Sequence, residues 1–219
     1  MNKFTAIAGL LLAASTVSAQ AAGTINDRAL VPATSQVFDF QAEDGLIIGL
    51  GGSYSFGAGS FAADQQFTVG QYIADLGENG AWGAGNRFLS FDHIGAMTLD
   101  ISFIGATRGF AFDYNAWQEL GSSTPASISI SYFDGGNNLI GSHTEVISPA
   151  LGWDSYDQFR TTGYVADSAS IARVSISGDG VVLDNLTYTN PVPEPETYAL
   201  MLAGLGLLGL AARRRKNAA

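Results

Sequence analysis

The chain has 219 residues, a formal net charge of −10 and no cysteine, which excludes thiol catalysis, iron–sulfur clusters and cysteine-bound zinc. At this length a core forms without disulfides. Between Gly23 and Pro191 eighteen Asp and Glu stand against Arg28, Arg87, Arg108, Arg160 and Arg173, a charge near −13, so nucleic acid, whose phosphates need clustered Lys and Arg, is excluded as a partner.

The first segment is about transport. Met1-Asn2-Lys3 carries one cation, Phe4 to Val17 is apolar, and Ser18-Ala19-Gln20-Ala21-Ala22 is rich in small residues. That order predicts a signal peptide over residues 1–21, a signal helix with cleavage after Ala21, because Ala19 and Ala21 then take the two small-residue positions. Residues 22–190 are one domain by length.

The domain reads as all-β. Met97, Leu99, Ile101 and Phe103 alternate with Thr98, Asp100 and Ser102; Phe110, Phe112 and Tyr114 alternate within Gly109 to Asn115; Ile128, Ile130 and Tyr132 alternate with Ser127, Ser129 and Ser131. A period of two is the mark of a half-buried strand. Further strands are expected at Val37–Gln41, Leu46–Leu50, Phe67–Ile73, Leu139–Ile147, Ile171–Ile176 and Val181–Tyr188. Asp134-Gly135-Gly136-Asn137 and Ser177-Gly178-Asp179-Gly180 have hairpin-turn chemistry. No stretch between Gly23 and Pro191 has helical period, and about nine short strands predict an antiparallel two-sheet sandwich of the jelly-roll kind. Two Gly-rich stretches, Gly49 to Phe61 and Gly77 to Asn86, are expected to interrupt the strands. Gly57-Ala58-Gly59 is no nucleotide loop, since no helix follows it.

Catalytic signals are weak. His93 and His143 lie far apart with no ligand-type neighbour at metal spacing, and no Gly-x-Ser-x-Gly elbow occurs. Glycoside hydrolysis needs two carboxylates in environments that split their pKa values; Asp154 and Asp157, following Trp153, are the pair to choose if the chain were a hydrolase. Trp82 and Trp153 lie in polar, Gly-containing contexts where an exposed ring can stack on a sugar face, whereas Trp117 follows a strand end. Asp184 interrupts an apolar strand, and a buried carboxylate must be hydrogen-bonded, paired or metal-bound.

The C-terminus has three parts: a stiff Pro/Glu spacer (residues 191–196), an uncharged run (197–212) and a basic tail (213–219) containing Arg213, Arg214, Arg215 and Lys216. As a transmembrane helix the run spans roughly 24 Å, short of the ~30 Å hydrocarbon core, and the cations after it keep that end cytoplasmic. Val-Pro-Glu-Pro-Glu-Thr-Tyr-Ala-Leu-Met-Leu-Ala-Gly-Leu-Gly-Leu-Leu-Gly, closed by Ala-Ala-Arg-Arg-Arg-Lys, resembles the PEP-CTERM sorting signal of Gram-negative bacteria, also catalogued as an ice-binding-protein C-terminal domain. The resemblance implies recognition of Pro193, Glu194 and Pro195 by an exosortase-type membrane protease. It further implies transient anchoring in the inner membrane, tail removal, and delivery to the cell surface or an exopolysaccharide matrix.

A second resemblance covers about residues 88–190. The series Ala96–Phe103, Gly109–Tyr114, Ile128–Asp134, Arg160–Tyr164 and Val182–Tyr188 is similar to jelly-roll domains found ahead of such tails and to distant carbohydrate-binding modules. What this implies is a structural calcium where the first and last strands meet, with Glu43 or Asp44 and Asp184 as ligands; the other reading of Asp184 is a hydrogen-bonded loop cap. The expected function is that of an exported, non-catalytic, carbohydrate- or matrix-associated sandwich, the alternative being a secreted polysaccharide hydrolase or lyase. A structural adhesin or ice-surface binder would need a flat array of Thr, and no such repeat is visible along the chain.

Overall fold

The computed structural model of the chain describes residues 21–32, 35–43, 45–71, 86–91, 95–117, 124–147, 159–189 and 205. Within them the first strands are β1 (Gly23–Ile25), β2 (Ser35–Phe38), β3 (Leu46–Ile48), β4 (Ser53–Phe56), β5 (Gly59–Ala63), β6 (Phe67–Gln71) and β7 (Phe88–Phe91). The second half adds β8 (Ala96–Thr107), β9 (Gly109–Asn115), β10 (Ala126–Phe133), β11 (Leu139–Ile147), β12 (Arg160–Val165), β13 (Ile171–Asp179) and β14 (Val182–Thr189). One 3-10 turn, Arg28–Leu30, follows β1. No helix among the described residues is long and apolar enough to cross a membrane. The expected signal helix up to residue 20 and, Leu205 apart, the C-terminal span lie outside these residues.

The strands form two antiparallel sheets. The larger runs β1-β12-β9-β14-β7-β6-β3, with β2 also paired to β14; the smaller runs β11-β10-β13-β8-β5-β4. The chain passes repeatedly from one sheet to the other, a jelly-roll-like winding. Period-two strands dictate the filling: Leu99, Ile101 and Phe103 of β8, Ile128, Ile130 and Tyr132 of β10, and Val174 and Ile176 of β13 are buried against Phe110, Phe112 and Tyr114 of β9 and Leu183, Leu186 and Tyr188 of β14. An aromatic cluster closes one end, with Phe38 edge-on to Phe40 at 4.7 Å and Phe56 beside Phe61 at 4.8 Å.

Two sequence expectations are corrected. Gly49 to Phe61 is not an interruption, because Ser53–Phe56 and Gly59–Ala63 pair as a hairpin across Gly57-Ala58. Small residues are required there: a Cβ on Gly59 would overlap the Ser102 carbonyl oxygen of the next strand. Nor is Ser177 to Gly180 a hairpin. β13 continues to Asp179, and Gly180, at φ 49°, turns the chain into β14 of the opposite sheet. Asp134 to Asn137 is the hairpin expected: Asp134 Oδ1 accepts from the Gly136 and Asn138 amides at 2.9 and 2.8 Å, and Asn137 takes the left-handed conformation.

Close strand approach at Gly59 and Gly163, where a Cβ would overlap the Phe110 carbonyl oxygen, makes both positions intolerant of any side chain. Gly59→Ala and Gly163→Ala are each expected to cost about 1–3 kcal/mol in chemical unfolding. Gly57→Ala, where a Cβ meets open space, is expected to be neutral. Equal stability of all three variants would contradict the packing.

Candidate functional site

Asp113 of β9 and Asp184 of β14 are cross-strand partners, 8% and 2% exposed. Two neighbouring carboxylates on a closed sheet face require compensation, and the local sequence supplies it. A bulge after Asp184 places Asn185 and Leu186 opposite one residue of β9, with Asn185 left-handed at φ 49°, a conformation Asn tolerates. The Asn185 amide donates to Asp184 Oδ1 at 2.7 Å and its side-chain amide to Asp113 Oδ2 at 3.0 Å. Asn86 Nδ2 donates to Asp184 Oδ2 at 2.9 Å, and Thr161 Oγ1 donates to Asp113 Oδ1 at 2.6 Å. Arg28, on the 3-10 turn capped by Asp27, pairs its guanidinium with Asp113. Burial pushes the Asp184 carboxyl up to about 6, with the nearby Asp113 adding to the rise and the Asn86 and Asn185 donors opposing it.

The first strand, β1, pairs with β12; it is β2 that pairs with the last strand, β14, and Gln41 Nε2 donates to Asn86 Oδ1 at 2.6 Å, tying the turn after β2 to Asp184. Each Asp184 oxygen accepts one N–H, from Asn185 and from Asn86, as in a hydrogen-bonded cap. Glu43 hydrogen-bonds to Tyr54, whose hydroxyl is pushed up to about 12 by burial and by this carboxylate. Among the described residues no three His, Asp or Glu side chains gather as a metal set. Asp44 lies outside them, as do Trp82, Trp153, His93, Asp154, Asp157, Pro193, Glu194, Pro195, Arg213, Arg214, Arg215 and Lys216.

His143 joins a second polar cluster, where β11 of the small sheet faces β12 of the large one. Thr162 Oγ1 donates to Glu145 Oε1 at 2.7 Å and lies 2.9 Å from His143 Nε2, so it accepts from that nitrogen. Burial lowers the His143 pKa against the pull of Glu145, and the neutral Nε2–H tautomer fits these contacts. The hydroxyl sits between imidazole and carboxylate. A nucleophilic triad needs the imidazole in the middle, so this cluster is not one. Trp117 is half-buried against Phe88, Val182 and Phe159, a packing role.

The feature that chain-order reading missed is the outer face of the small sheet. Register brings Thr144 (β11), Ser129 (β10), Ser177 (β13) and Thr98 (β8) into one row across four strands. Ser142, Ser131, Ser175 and Asp100 form the next row, and Ser102, Ser60 and Ser55 lie along a third. Ser129 and Thr144 hydroxyls are 3.4 Å apart, Thr98 and Ser177 hydroxyls 3.3 Å. An open groove of about 420 Å³ crosses this face between Asp64, Thr98, Ser127, Ser129, Ser177 and Asp179. At one margin Arg173 pairs with Asp100 at 2.8 Å and lies 3.9 Å over the Phe133 ring. The signal in the chain is the alternating serine of β10, repeated in shorter form in β13 and β4.

The architecture defines an antiparallel β-sandwich domain carried ahead of a sorting tail. Residues 191–216 match the PEP-CTERM protein-sorting motif, which implies export and marks a substrate for exosortase processing. A comparison with curated proteins gives no match. Among solved structures the chain is similar to the K2 cleaved adhesin domain of Lys-gingipain (11% identity, over 72% of this chain and 99% of that one, TM-score 0.39). It is also similar to a family 29 carbohydrate-binding module (14%, 74% and 99%, TM-score 0.33). A family 11 module from Clostridium thermocellum, solved with a mixed-linked tetrasaccharide, is comparable (11%, 73% and 98%, TM-score 0.31). TM-scores of this size carry no argument about ligand or activity.

The raised Asp184 pKa has a signed consequence. The fold favours the protonated form, so this group's contribution is fully present below the unfolded value near 3.8 and is lost as pH rises through about 6. Relative to Asp184→Asn, the wild-type chain is expected to lose about 2–3 kcal/mol of unfolding free energy between pH 4 and pH 7. A stability difference independent of pH would contradict the assignment.

Proposed function

We propose that this is an exported, non-enzymatic protein that is anchored briefly in the inner membrane, cut at its tail and placed at the cell surface or in the extracellular polysaccharide. The observation that carries the reading is the sorting motif at residues 191–216, attached to an acidic sandwich. Pro193, Glu194 and Pro195 are the recognition element, and Arg213 to Lys216 hold the uncut tail on the cytoplasmic side. Signal cleavage after Ala21 has support at the other end. The Ala22 nitrogen lies 3.3 Å from Asp167 Oδ1, so the α-ammonium created by the cut would meet a carboxylate. Trp82 and Trp153 are proposed sugar contacts, and a structural calcium held by Glu43 or Asp44 together with Asp184 is proposed with them.

The hydrolase reading draws on one observation, the Asp113–Asp184 pair, whose environments differ as paired glycosidase carboxylates must. Against it, both carboxylates are closed off from solvent and filled with hydrogen bonds.

Intact-mass measurement of protein recovered from the cell surface is expected to show Ala22 at the N-terminus and loss of Arg213 to Lys216. Replacing Pro193 and Pro195 by Ala should leave the tail on and the protein in the membrane fraction. Surface material with its four terminal cations intact would refute the reading. EGTA is expected to lower the melting temperature; an unchanged value would remove the calcium proposal and leave Asp184 a hydrogen-bonded cap.

A further inference from the structure

We propose that the outer face of the six-stranded sheet is a docking surface for an uncharged polysaccharide, laid across the hydroxyl rows and held by many weak contacts. This rests on the polysaccharide-associated reading above and gives it a site and a ligand class.

Side chains on one sheet face recur about 4.8 Å apart between strands and about 6.8 Å along them, so the rows through Ser129 and Ser131 form a near-planar lattice of hydroxyls. Each hydroxyl donates one hydrogen bond and accepts others, so it can serve a sugar hydroxyl in either sense. Ser129, Ser177 and Thr144 are exposed, and Ser129 and Ser177 line the groove. Asp64 and Asp179 border it. One oxygen of each accepts a backbone amide, from Thr98 at 2.8 Å and Gly95 at 2.6 Å, which fixes the carboxylates with their second oxygens left to accept from a ligand.

Charge selects the polymer. Arg173, the cation at this face, is committed to Asp100, Asn137 and the Phe133 ring, so it offers no site for an anionic chain. The groove carboxylates and a body charge near −13 repel uronate or sulfate groups. Ice is a poorer fit, because the rows are built largely of Ser without a methyl and are broken by the hydrated Arg173–Asp100 pair.

Energetics then select length. A hydroxyl exchanging water for a sugar gains little net free energy, and among the described residues no aromatic ring lines the groove to add stacking. Affinity must accumulate over neighbouring sugars on one chain. The site is therefore a reader of long polymers and a poor binder of short ones.

The test uses the full chain in detergent micelles, with affinity electrophoresis through gels holding a linear neutral glucan, its short oligosaccharides as competitors, or alginate as a carboxylated polymer. Retardation by the neutral polymer, weak competition by oligosaccharides and none by alginate is expected. Ser129→Val with Ser177→Val should weaken binding about tenfold, while the isosteric Ser129→Thr with Ser177→Thr, which restores both hydroxyls, should keep it. Equal binding by the Val pair at unchanged melting temperature overturns the site and leaves the parent reading standing. No binding to any polymer overturns both. Preference for alginate, competition by oligosaccharides at equal sugar concentration, or freezing hysteresis without polymer binding each overturns the ligand class.

Discussion

The fold depends on one electrostatic constraint: two carboxylates, Asp113 and Asp184, sit side by side on a closed face of the large sheet. An uncompensated pair there would cost several kcal/mol. Four separate parts of the chain answer it: Arg28 from the N-terminal turn, Asn86 ahead of β7, Thr161 on β12 and Asn185 in the β14 bulge. Because these groups come from the beginning, middle and end of the domain, satisfying the pair also fixes where those segments lie. Ile25, Val31, Ala111 and Val165 pack beneath the N-terminal segment that Arg28 pins, so polar and apolar terms act on the same piece.

The two sheets then divide the work. The large sheet is buried on both sides around β9, where every residue from Gly109 to Asn115 is buried. Its buried carboxylates are occupied by hydrogen bonds from Asn86, Thr161 and Asn185. The small sheet gives one face to the core and leaves the other to solvent, so β10 alternates Ile or Tyr inward with Ser outward. That free side can change without disturbing the core. The address sits apart from both, in the sorting motif at residues 191–216.

Legibility in the sequence followed sequence distance. β8, β10 and β13 could be read because their alternation is local, and the Asp134 turn because its chemistry lies within four residues. The Ser177–Gly180 turn misled, since glycine permits a turn but does not say whether the next strand pairs beside the last or crosses to the other sheet. β7 went unread because Phe88 and Ser90 are buried on the outer side while Leu89 and Phe91 are buried in the core, which erases alternation. Asp184 was legible as a polar break in an apolar strand, but its partner Asp113 was not, because only register places them together. The hydroxyl rows were hidden for the same reason: Thr98, Ser129, Thr144 and Ser177 are scattered in the chain and neighbours only across strands.

The central claim is that recognition uses the free face of the small sheet while the acidic pair of the large sheet is structural. Carbodiimide footprinting of carboxylates, with and without the matrix polymer of the producing cell, tests it directly. The account predicts that polymer shields Asp64, Asp100 and Asp179, while the exposed Asp27 and Asp167 label as before. Unchanged labelling at the first three with shielding of Asp27 and Asp167 would place the contact on the opposite side of the molecule and contradict it.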